Sequence, residues 1–253
     1  MLRWRGGEGQ DVATVVIVHG GWGGGWEWAE VAALLTAGGH RVLTPTLTGL
    51  GDRAHLATSE RIGLETHVSD VIAVLAFEDL HDVVLCGHSY GGAPVTVVAD
   101  RVPDRLRSIV YLDAIVPDHG RSVIDLTDPG FRASIQAGLA TNGAAWRVPI
   151  PAELLPTAGP REARRRYVER LRDHPAATFV DPVELRGAGA HVPRAYVRCV
   201  DGPGAGDPSA GDPTRAAVQR ARAEGWSYRE LVAPHDLQLV DPAGAAATLD
   251  QLV

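Results

Sequence analysis

Short apolar runs that alternate with helical patterns constrain the fold of this chain more than any other feature. Residues 13–21, ATVVIVHGG, form a continuous apolar run closed by glycines, and a second such run predicts a strand at 82–86. Unbroken apolar runs of this length are typical of strands that are buried on both faces of a sheet. Between them, residues 65–77 place four apolar side chains on one helical stripe: Val68, Val71, Ile72 and Leu75. The alternation predicts an α/β fold with a mostly parallel central sheet and helices on both of its faces.

The alternation stops in the middle of the chain and then resumes. Residues 117–190 contain short helical pieces that many prolines interrupt, and this pattern predicts a small cap inserted over the sheet. Two further strands with a helix between them are predicted over residues 194–232. We therefore expect residues 1–116 and 191–253 to form one core together, with residues 117–190 as the cap.

A nucleophile motif follows one of the predicted strands. The sequence GHSYG, residues 87–91, lies directly after the strand at 82–86 and before a predicted helix at 92–101. It matches the pattern G-x-S-x-G, in which the serine lies on a tight strand-to-helix turn and its neighbours must be small. Such a turn projects the Ser89 hydroxyl above the sheet at the amino end of the helix, so we predict that Ser89 is a nucleophile.

A serine hydroxyl needs a base that removes its proton before it can attack a carbonyl group. Of the ten histidines, His235 is the strongest candidate because it lies just after the last predicted strand. We expect the side chain of His88 to point away beneath the turn, and His19 to have a structural role in its loop. No two histidines have metal-ligand spacing of the H-x-H or H-x-x-x-H kind, so we expect no metal site.

The glycine-rich loop HGGWGGGWEW, residues 19–28, follows the first predicted strand. Negative charge that develops on an attacked carbonyl oxygen needs fixed N–H donors, and the backbone amides of Gly21 and Tyr90 are the expected pair. Large aromatic side chains are candidates for the wall of an apolar substrate pocket. They are Trp22, Phe131 and Trp146.

The order of five motifs resembles the α/β-hydrolase superfamily, and within it the branch of small bacterial esterases, plant methylesterases and plant hydroxynitrile lyases. These motifs are IVHGGWGGGWEW, TPTLTGLGDR, VVLCGHSYGG, YLDAIVP and PHD. The resemblance covers almost the whole chain and implies an α/β-hydrolase fold, a Ser–His–acid triad, an esterase-type acyl-enzyme mechanism and no cofactor. Carried over by position, it assigns the nucleophile to Ser89, the base to His235 and the oxyanion donors to Gly21 and Tyr90.

The acid of the triad has more than one candidate. In the plant members of this branch the acid follows the strand that corresponds to 194–200, which nominates Asp201 or Asp207, but glycine and proline stand where the neighbours of that acid are expected. Asp113 lies at the end of the strand after the nucleophile. This position resembles that of the acid in haloalkane dehalogenases, which follows the same strand. Either carboxylate can orient an imidazole and stabilise its charged form. Asp113 is our first choice and Asp201 the alternative.

The predicted reaction is hydrolysis of a small or medium apolar or aromatic carboxylic ester through an acyl intermediate on Ser89. Cyanohydrin cleavage is disfavoured, because Asp236 stands where the hydroxynitrile lyases carry a lysine. The alternative is a biosynthetic cyclase, lyase or isomerase that uses the same serine and histidine for proton transfer, since a fold does not fix a function. A non-catalytic receptor on this fold would need a degraded triad, and Ser89 and His235 argue against it.

Composition limits the partners. The formal net charge of −7 disfavours nucleic acid, and the absence of lysine excludes Schiff-base chemistry and a P-loop lysine. No apolar run approaches the roughly 20 residues that cross a bilayer, and the N-terminus lacks the apolar core of a signal peptide. We expect a small-molecule substrate, no membrane partner and cytoplasmic residence; a homodimer is compatible with the sequence. The arginine-rich stretch 161–172 predicts a solvated helix with Arg–Glu pairs.

Overall fold

The computed structural model describes residues 12–57, 62–141, 147–200 and 212–253. The strands in these ranges are β1 Thr14–Val18, β2 Arg41–Leu43, β3 Val83–His88, β4 Leu106–Leu112, β5 Arg147–Val148, β6 His174–Pro175, β7 Arg194–Val200 and β8 Ser227–Val232. Six of them form one sheet in the order β2-β1-β3-β4-β7-β8. Every neighbouring pair in this sheet is parallel, as the alternation of strands and helices predicts.

Successive side chains of the central strands enter two different apolar cores. In β1, Val16 and Val18 pack into the core on one face of the sheet, while Val15 and Ile17 pack into the core on the other face. All four side chains are fully buried. A strand covered on both faces has no position for a polar side chain, which is why its sequence is an unbroken apolar run.

Helices cover both faces of the sheet. The α-helices of the described ranges are α1 Ala29–Ala37, α2 Leu64–Phe77, α3 Gly92–Arg101, α4 Pro129–Thr141, α5 Arg161–Arg170, α6 Ala177–Val180, α7 Arg215–Ala223, α8 Leu237–Val240 and α9 Pro242–Asp250. Side chains of α2, α3 and α7 belong to one core, and side chains of α1 and α9 belong to the other. This confirms the predicted α/β class. Within the described ranges, no helix has the length and apolar character that a membrane crossing requires.

The proline-rich middle of the chain contains α4, α5 and α6 together with the short antiparallel pair β5 and β6. The sequence did not predict this pair, because each strand has two residues and β6 ends in proline. The segment contacts the glycine-rich loop after β1: the backbone N–H of Arg172 donates to the Trp22 carbonyl at 2.9 Å. As predicted, α5 is laced with exposed ion pairs, including those of Arg165 with Glu162 and Glu169. The division into core and cap stays a prediction.

Candidate active site

A cavity of about 270 Å³ lies at the carboxyl ends of the sheet strands. Ligands of parallel α/β sheets bind at this edge, because loops of different strands meet there. All the predicted site residues within the described ranges line it. They are Gly21, Trp22, Ser89, Tyr90, Asp113, Phe131 and His235. The predicted pocket residue Trp146, the alternative acid Asp201 and Asp207 lie outside the described residues.

Ser89 lies on a tight turn between β3 and α3. Its backbone φ is +54°, in the left-handed region that residues other than glycine rarely adopt. Its glycine neighbours let the turn pack closely: a Cβ atom on Gly91 would lie 2.5 Å from the Val18 carbonyl oxygen, and one on Gly87 would lie 2.6 Å from the Gly91 carbonyl oxygen. The two glycines therefore let β3 and α3 approach β1 closely while Ser89 lines the cavity.

Asp113 and His235 are joined by a hydrogen bond although 122 positions separate them in the chain. Asp113 follows β4, and its Oδ2 atom lies 2.7 Å from the Nδ1 atom of His235. The other carboxylate oxygen, Oδ1, accepts from the backbone N–H of Cys199 at 3.1 Å. Asp113 is buried and also has a positive φ, of +44°. With both oxygens engaged, the carboxylate is fixed, and it fixes the imidazole in turn.

The contact with Asp113 determines the proton affinity of His235. Burial by itself would lower the pKa of an imidazole, because the charged form loses water. The hydrogen bond to Asp113 and its negative charge act in the opposite direction, with smaller contributions from Asp236 and Asp212, and together they raise the pKa of His235 above its usual value. Because Nδ1 is engaged by Asp113, Nε2 is the ring nitrogen that can accept a proton.

The loop after β1 lies against the serine turn. A Cβ atom on Gly20 would lie 3.2 Å from Cβ of Ser89, and one on Gly21 would lie 3.9 Å from Cβ of Tyr90. His19 holds this loop in place: its Nδ1 atom lies 2.8 Å from the Gly20 carbonyl oxygen, and its Nε2 atom accepts from the Leu47 N–H at 3.0 Å. This structural role agrees with the one expected for His19. A side chain at position 20 would crowd the serine turn, and the two predicted oxyanion donors, Gly21 and Tyr90, line the same cavity.

The prediction for His88 was wrong. We expected its side chain to point away beneath the turn, but it lines the cavity and its ring lies 4.8 Å from that of His235. Its Nε2 atom lies 3.0 Å from the His235 carbonyl oxygen, so the protonated nitrogen donates to the loop that carries His235. The His88 ring also packs against the Trp28 ring, with 5.3 Å between the ring centroids. His88 therefore holds the backbone of the loop that carries His235.

Aromatic side chains form one wall of the cavity. Trp22 lies edge-on to Phe131, with 6.4 Å between ring centroids, and 5.4 Å from Phe179. Its indole N–H donates to the Val148 carbonyl at 2.8 Å, which holds the ring in one orientation. The Tyr90 side chain is buried instead, with its hydroxyl 2.8 Å from Nδ1 of His67.

Sequence reasoning missed a second group of polar residues in the cavity. Glu27, Tyr167 and Asp236 line it together with the predicted residues. Burial raises the pKa of the Glu27 carboxyl to about 8, against a smaller lowering by the Tyr167 hydroxyl. Burial also raises the pKa of Asp236, and the nearby His235 opposes this. One signal was available: an acidic residue between two tryptophans, in GWEW, is unusual for a solvated turn.

The sheet order, the serine turn and the Asp–His contact define an α/β-hydrolase. The model of the alpha/beta hydrolase family matches residues 15–248, and the chain belongs to that family. It is therefore a hydrolase. A carbendazim hydrolyzing esterase from Nocardioides sp. (strain SG-4G) is 38 % identical over 251 residues, which are 95 % of this chain and 100 % of that relative.

Further comparisons agree with this family. A pyrethroid hydrolase from Sphingobium wenxiniae is 26 % identical over 75 % of this chain and 71 % of its own length. Among solved structures, an extracellular alpha/beta-hydrolase from a Paenibacillus species superposes with a TM-score of 0.80 at 24 % identity, over 94 % of this chain and 98 % of the other. An identity this low shows the shared fold alone. The relatives support hydrolysis of the carboxylesterase type.

Proposed function

We propose that this chain is a serine carboxylesterase that cleaves a small or medium apolar or aromatic ester through an acyl intermediate on Ser89. In the first half-reaction, Nε2 of His235 takes the proton of the Ser89 hydroxyl, and Oγ attacks the carbonyl carbon of the ester. The backbone amides of Gly21 and Tyr90 hold the negative charge that develops on the carbonyl oxygen. The tetrahedral intermediate then collapses, and His235 gives its proton to the departing alcohol oxygen.

The second half-reaction repeats these steps with water. His235 takes a proton from a water molecule, and the hydroxyl oxygen attacks the acyl carbon bound to Ser89. When this intermediate collapses, the bond to Oγ breaks and His235 returns the proton to Ser89. The carboxylic acid product leaves, and no group other than water is consumed. Asp113 stays ionised throughout and stabilises the charged imidazole.

The contact between Asp113 and His235 is the observation that carries this proposal. A carboxylate 2.7 Å from Nδ1 leaves Nε2 of the imidazole available as the base, and Ser89 lines the same cavity as both residues. Asp113 is the acid we propose; Asp201 is not among the described residues. The 38 % identity with an esterase over nearly the whole chain supports the same reaction type.

The cavity supports a compact apolar substrate. Its volume of about 270 Å³ lies near the lower end of ligand pockets. Side chains from residues 117–190 form much of its apolar wall. They are Val123, Phe131, Ile150, Leu154, Leu171 and Phe179. This supports our assignment of residues 117–190 to a cap that selects the substrate.

A fluorophosphonate probe tests the covalent mechanism. We expect it to label the protein once, at Ser89, and we expect Ser89→Ala to abolish both labelling and hydrolysis of p-nitrophenyl butyrate. Ser227→Ala is the matched control, because Ser227 is an exposed serine of β8 and should leave both unchanged. If Ser89→Ala keeps its turnover while His235→Ala loses it, the proton-transfer alternative replaces the esterase.

A further inference from the structure

His174 lies against the loop that carries one of the two proposed oxyanion donors. It belongs to β6, in the segment 117–190 that we assign to a cap, and it is fully buried. Its Nδ1 atom accepts the backbone N–H of Trp22 at 3.1 Å, although 152 positions separate the two residues. A Cβ atom on Gly21 would lie 3.7 Å from the same nitrogen. The imidazole of His174 therefore contacts the loop directly beside the proposed donor, the Gly21 N–H.

Two histidines fix the backbone on either side of the Gly21 α-carbon. The peptide unit before it is held by the Gly20 carbonyl oxygen, which lies 2.8 Å from Nδ1 of His19. In a trans peptide the N–H points away from the carbonyl, so this contact directs the Gly21 N–H as well. The peptide unit after it is held by the Trp22 N–H through His174. Because glycine rotates freely, the loss of either contact would let the donor turn away.

The same segment of the chain holds Trp22 at two further points. The Arg172 N–H donates to the Trp22 carbonyl at 2.9 Å, and the indole N–H donates to the Val148 carbonyl at 2.8 Å. Val148 is the partner of His174 in the pair β5 and β6. Trp22 has a φ of +62°, and a residue in this region keeps its conformation only when its surroundings hold it. The cap segment therefore determines the conformation of this loop.

Tyr90, which carries the second proposed donor, also contacts His174. The Tyr90 ring lies edge-on to the imidazole, with 4.7 Å between ring centroids, and the Phe179 ring lies 4.3 Å from the imidazole. All three rings are buried. One side chain of the cap segment thus touches both loops whose backbone amides form the proposed oxyanion hole.

The partners of His174 determine its tautomer. The Thr178 hydroxyl donates to the Pro175 carbonyl at 2.7 Å, so its oxygen accepts the proton on Nε2 of His174, also at 2.7 Å. Nδ1 then carries no proton and can accept the Trp22 N–H. Burial lowers the pKa of His174 well below its usual value, which keeps the ring neutral as both contacts require.

We propose that His174 is a positioning residue of the esterase: through the Trp22 N–H it fixes the loop that carries Gly21, so that the cap segment completes the oxyanion hole. This inference rests on the proposed esterase function and adds to it a residue that acts from the cap. His174 is not among the described residues that line the cavity, so it does not bind the substrate itself. Its effect arises when the carbonyl oxygen becomes charged, and we expect it in kcat more than in KM.

Two amide variants of His174 separate positioning from packing. Asparagine carries its carbonyl oxygen near the place of Nδ1 and can accept the Trp22 N–H, whereas the longer glutamine places its amide near Nε2. We expect His174→Gln to lower kcat on p-nitrophenyl butyrate by about ten- to hundredfold, with KM within about threefold of the wild type. His174→Asn should keep kcat within about fivefold of the wild type. If the imidazole only filled space, the smaller asparagine would be the more damaging replacement.

A tetrahedral inhibitor gives a second readout. Benzyl trifluoromethyl ketone forms a hemiketal with a serine Oγ, and its negative oxygen takes the place of the oxyanion. Its Ki should rise in His174→Gln in proportion to the loss in kcat/KM.

His40→Gln is the matched control. His40 is also buried, and its Nδ1 atom likewise accepts a backbone N–H, that of Ala13 at 3.2 Å, but at the amino ends of β1 and β2. This variant should lose stability in urea and keep the kcat and Ki of the wild type. A His174→Asn variant as impaired as His174→Gln, a change in KM alone, or an unchanged Ki in His174→Gln would each overturn the proposal.

Thr178→Val tests the same contact without changing the histidine. Valine has the shape of threonine but cannot accept the proton on Nε2, so it favours the tautomer whose Nδ1 proton faces the Trp22 N–H. We expect kcat to fall by about three- to tenfold and Thr178→Ser to restore it. Where neither variant of His174 folds, a wild-type kcat in Thr178→Val overturns the proposal.

Failure of the underlying esterase is read separately. It appears in the wild type as no fluorophosphonate labelling of Ser89 and no turnover of p-nitrophenyl butyrate. Failure of the positioning role appears as normal wild-type labelling and turnover, with the two amide variants of His174 alike in kcat.

Discussion

The carboxyl group of Glu27 lies where a side chain on residue 23 would have to go. Any Cβ atom at Gly23 overlaps this group, while no other residue is among its three nearest neighbours. The missing side chain of Gly23 therefore makes room for the side chain of Glu27, four positions further along the chain. The relationship links the glycine-rich loop to a carboxyl group that lines the cavity, and a double-mutant cycle can measure its energy.

Gly23→Ala should destabilise the protein through Glu27 alone. The added methyl group must displace the Glu27 carboxyl, and overpacking of this kind raises the free energy of the folded state by about 1–3 kcal/mol. In a Glu27→Ala background these three overlapping atoms are absent, and we expect the same substitution to have little effect. Urea unfolding of the wild type, both single variants and the double variant gives the coupling energy. If Gly23→Ala destabilises both backgrounds equally, the glycine is required by the local backbone and not by the Glu27 side chain.

Asp113→Asn should greatly lower kcat without unfolding the protein. The amide cannot hold the imidazole in the required tautomer or stabilise its charge, and the known effect of this change in a Ser–His–Asp triad is a loss of about 10⁴ in kcat. Asp201→Asn is the matched comparison, because Asp201 follows β7 where related enzymes of the plant branch carry the acid. We expect it to keep near-normal kcat on p-nitrophenyl butyrate. The reverse pattern would assign the acid to the loop after β7.

The activity should depend on the ionisation of His235. The base must be neutral, so kcat/KM should fall as the pH falls through the pKa of His235. Because Asp113 raises that pKa, the midpoint should lie above about 6.5, the usual value for histidine. NMR titration of the His235 ring in Asp113→Asn should show the midpoint moving to lower pH. An unchanged midpoint in that variant would mean that Asp113 does not set the proton affinity.

The sequence was most informative where a single local rule applied. The apolar run before Ser89 predicted β3, the small neighbours of Ser89 predicted the turn, and both are present in the structure. Because parallel strands end at one edge of the sheet, residues that follow β1, β3, β4 and β8 could be expected to meet there. This rule predicted that Asp113 and His235 lie at the same edge of the sheet, although it gives no distance between them.

Side-chain direction and the middle of the chain could not be predicted in this way. The direction of the His88 ring depends on how Trp28 and the His235 loop pack on either side of it, and both contacts are distant in sequence. Glu27 is buried because the glycine at position 23 leaves room for it, which a pattern of apolar and polar residues does not express. The pair β5 and β6 is too short to have a periodicity.

Four of the five buried histidines in the described ranges should make the fold sensitive to acid. His19, His67, His88 and His174 are all at least 97 % buried, with exposures of 0 %, 0 %, 3 % and 0 %. Burial lowers the pKa to about 4 for His19 and His67 and to about 3 for His88, and it lowers that of His174 well below its usual value. Below pH 6.5 the unfolded chain therefore binds more protons at these residues than the folded chain does.

The free energy of unfolding should accordingly fall as the pH drops from about 6.5 towards 4, by up to about 1.4 kcal/mol per pH unit for each such histidine. Glu27 acts in the opposite direction over much of this range, because its raised pKa lets the folded chain keep a proton that the unfolded chain releases. The raised pKa values of Asp236 and His235 act in the same direction as that of Glu27. Each of these three groups offsets at most one histidine, and the four histidines outnumber them, so the net slope should stay positive. Urea unfolding at several pH values between 7.5 and 4.5 measures it.

His67→Gln should reduce the dependence of the free energy of unfolding on pH, because one titrating histidine is removed. Glutamine stays neutral and can replace part of the hydrogen bonding of His67, whose Nδ1 atom lies 2.8 Å from the Tyr90 hydroxyl and whose Nε2 atom lies 2.9 Å from the Thr48 carbonyl oxygen. The variant is expected to be less stable at pH 7.5 and to lose less stability than the wild type on acidification. His191→Gln is the control, because His191 is exposed and should leave the slope unchanged. Equal slopes in the wild type and His67→Gln would mean that His67 can be protonated in the folded protein, so that the Tyr90 and Thr48 contacts do not hold it neutral.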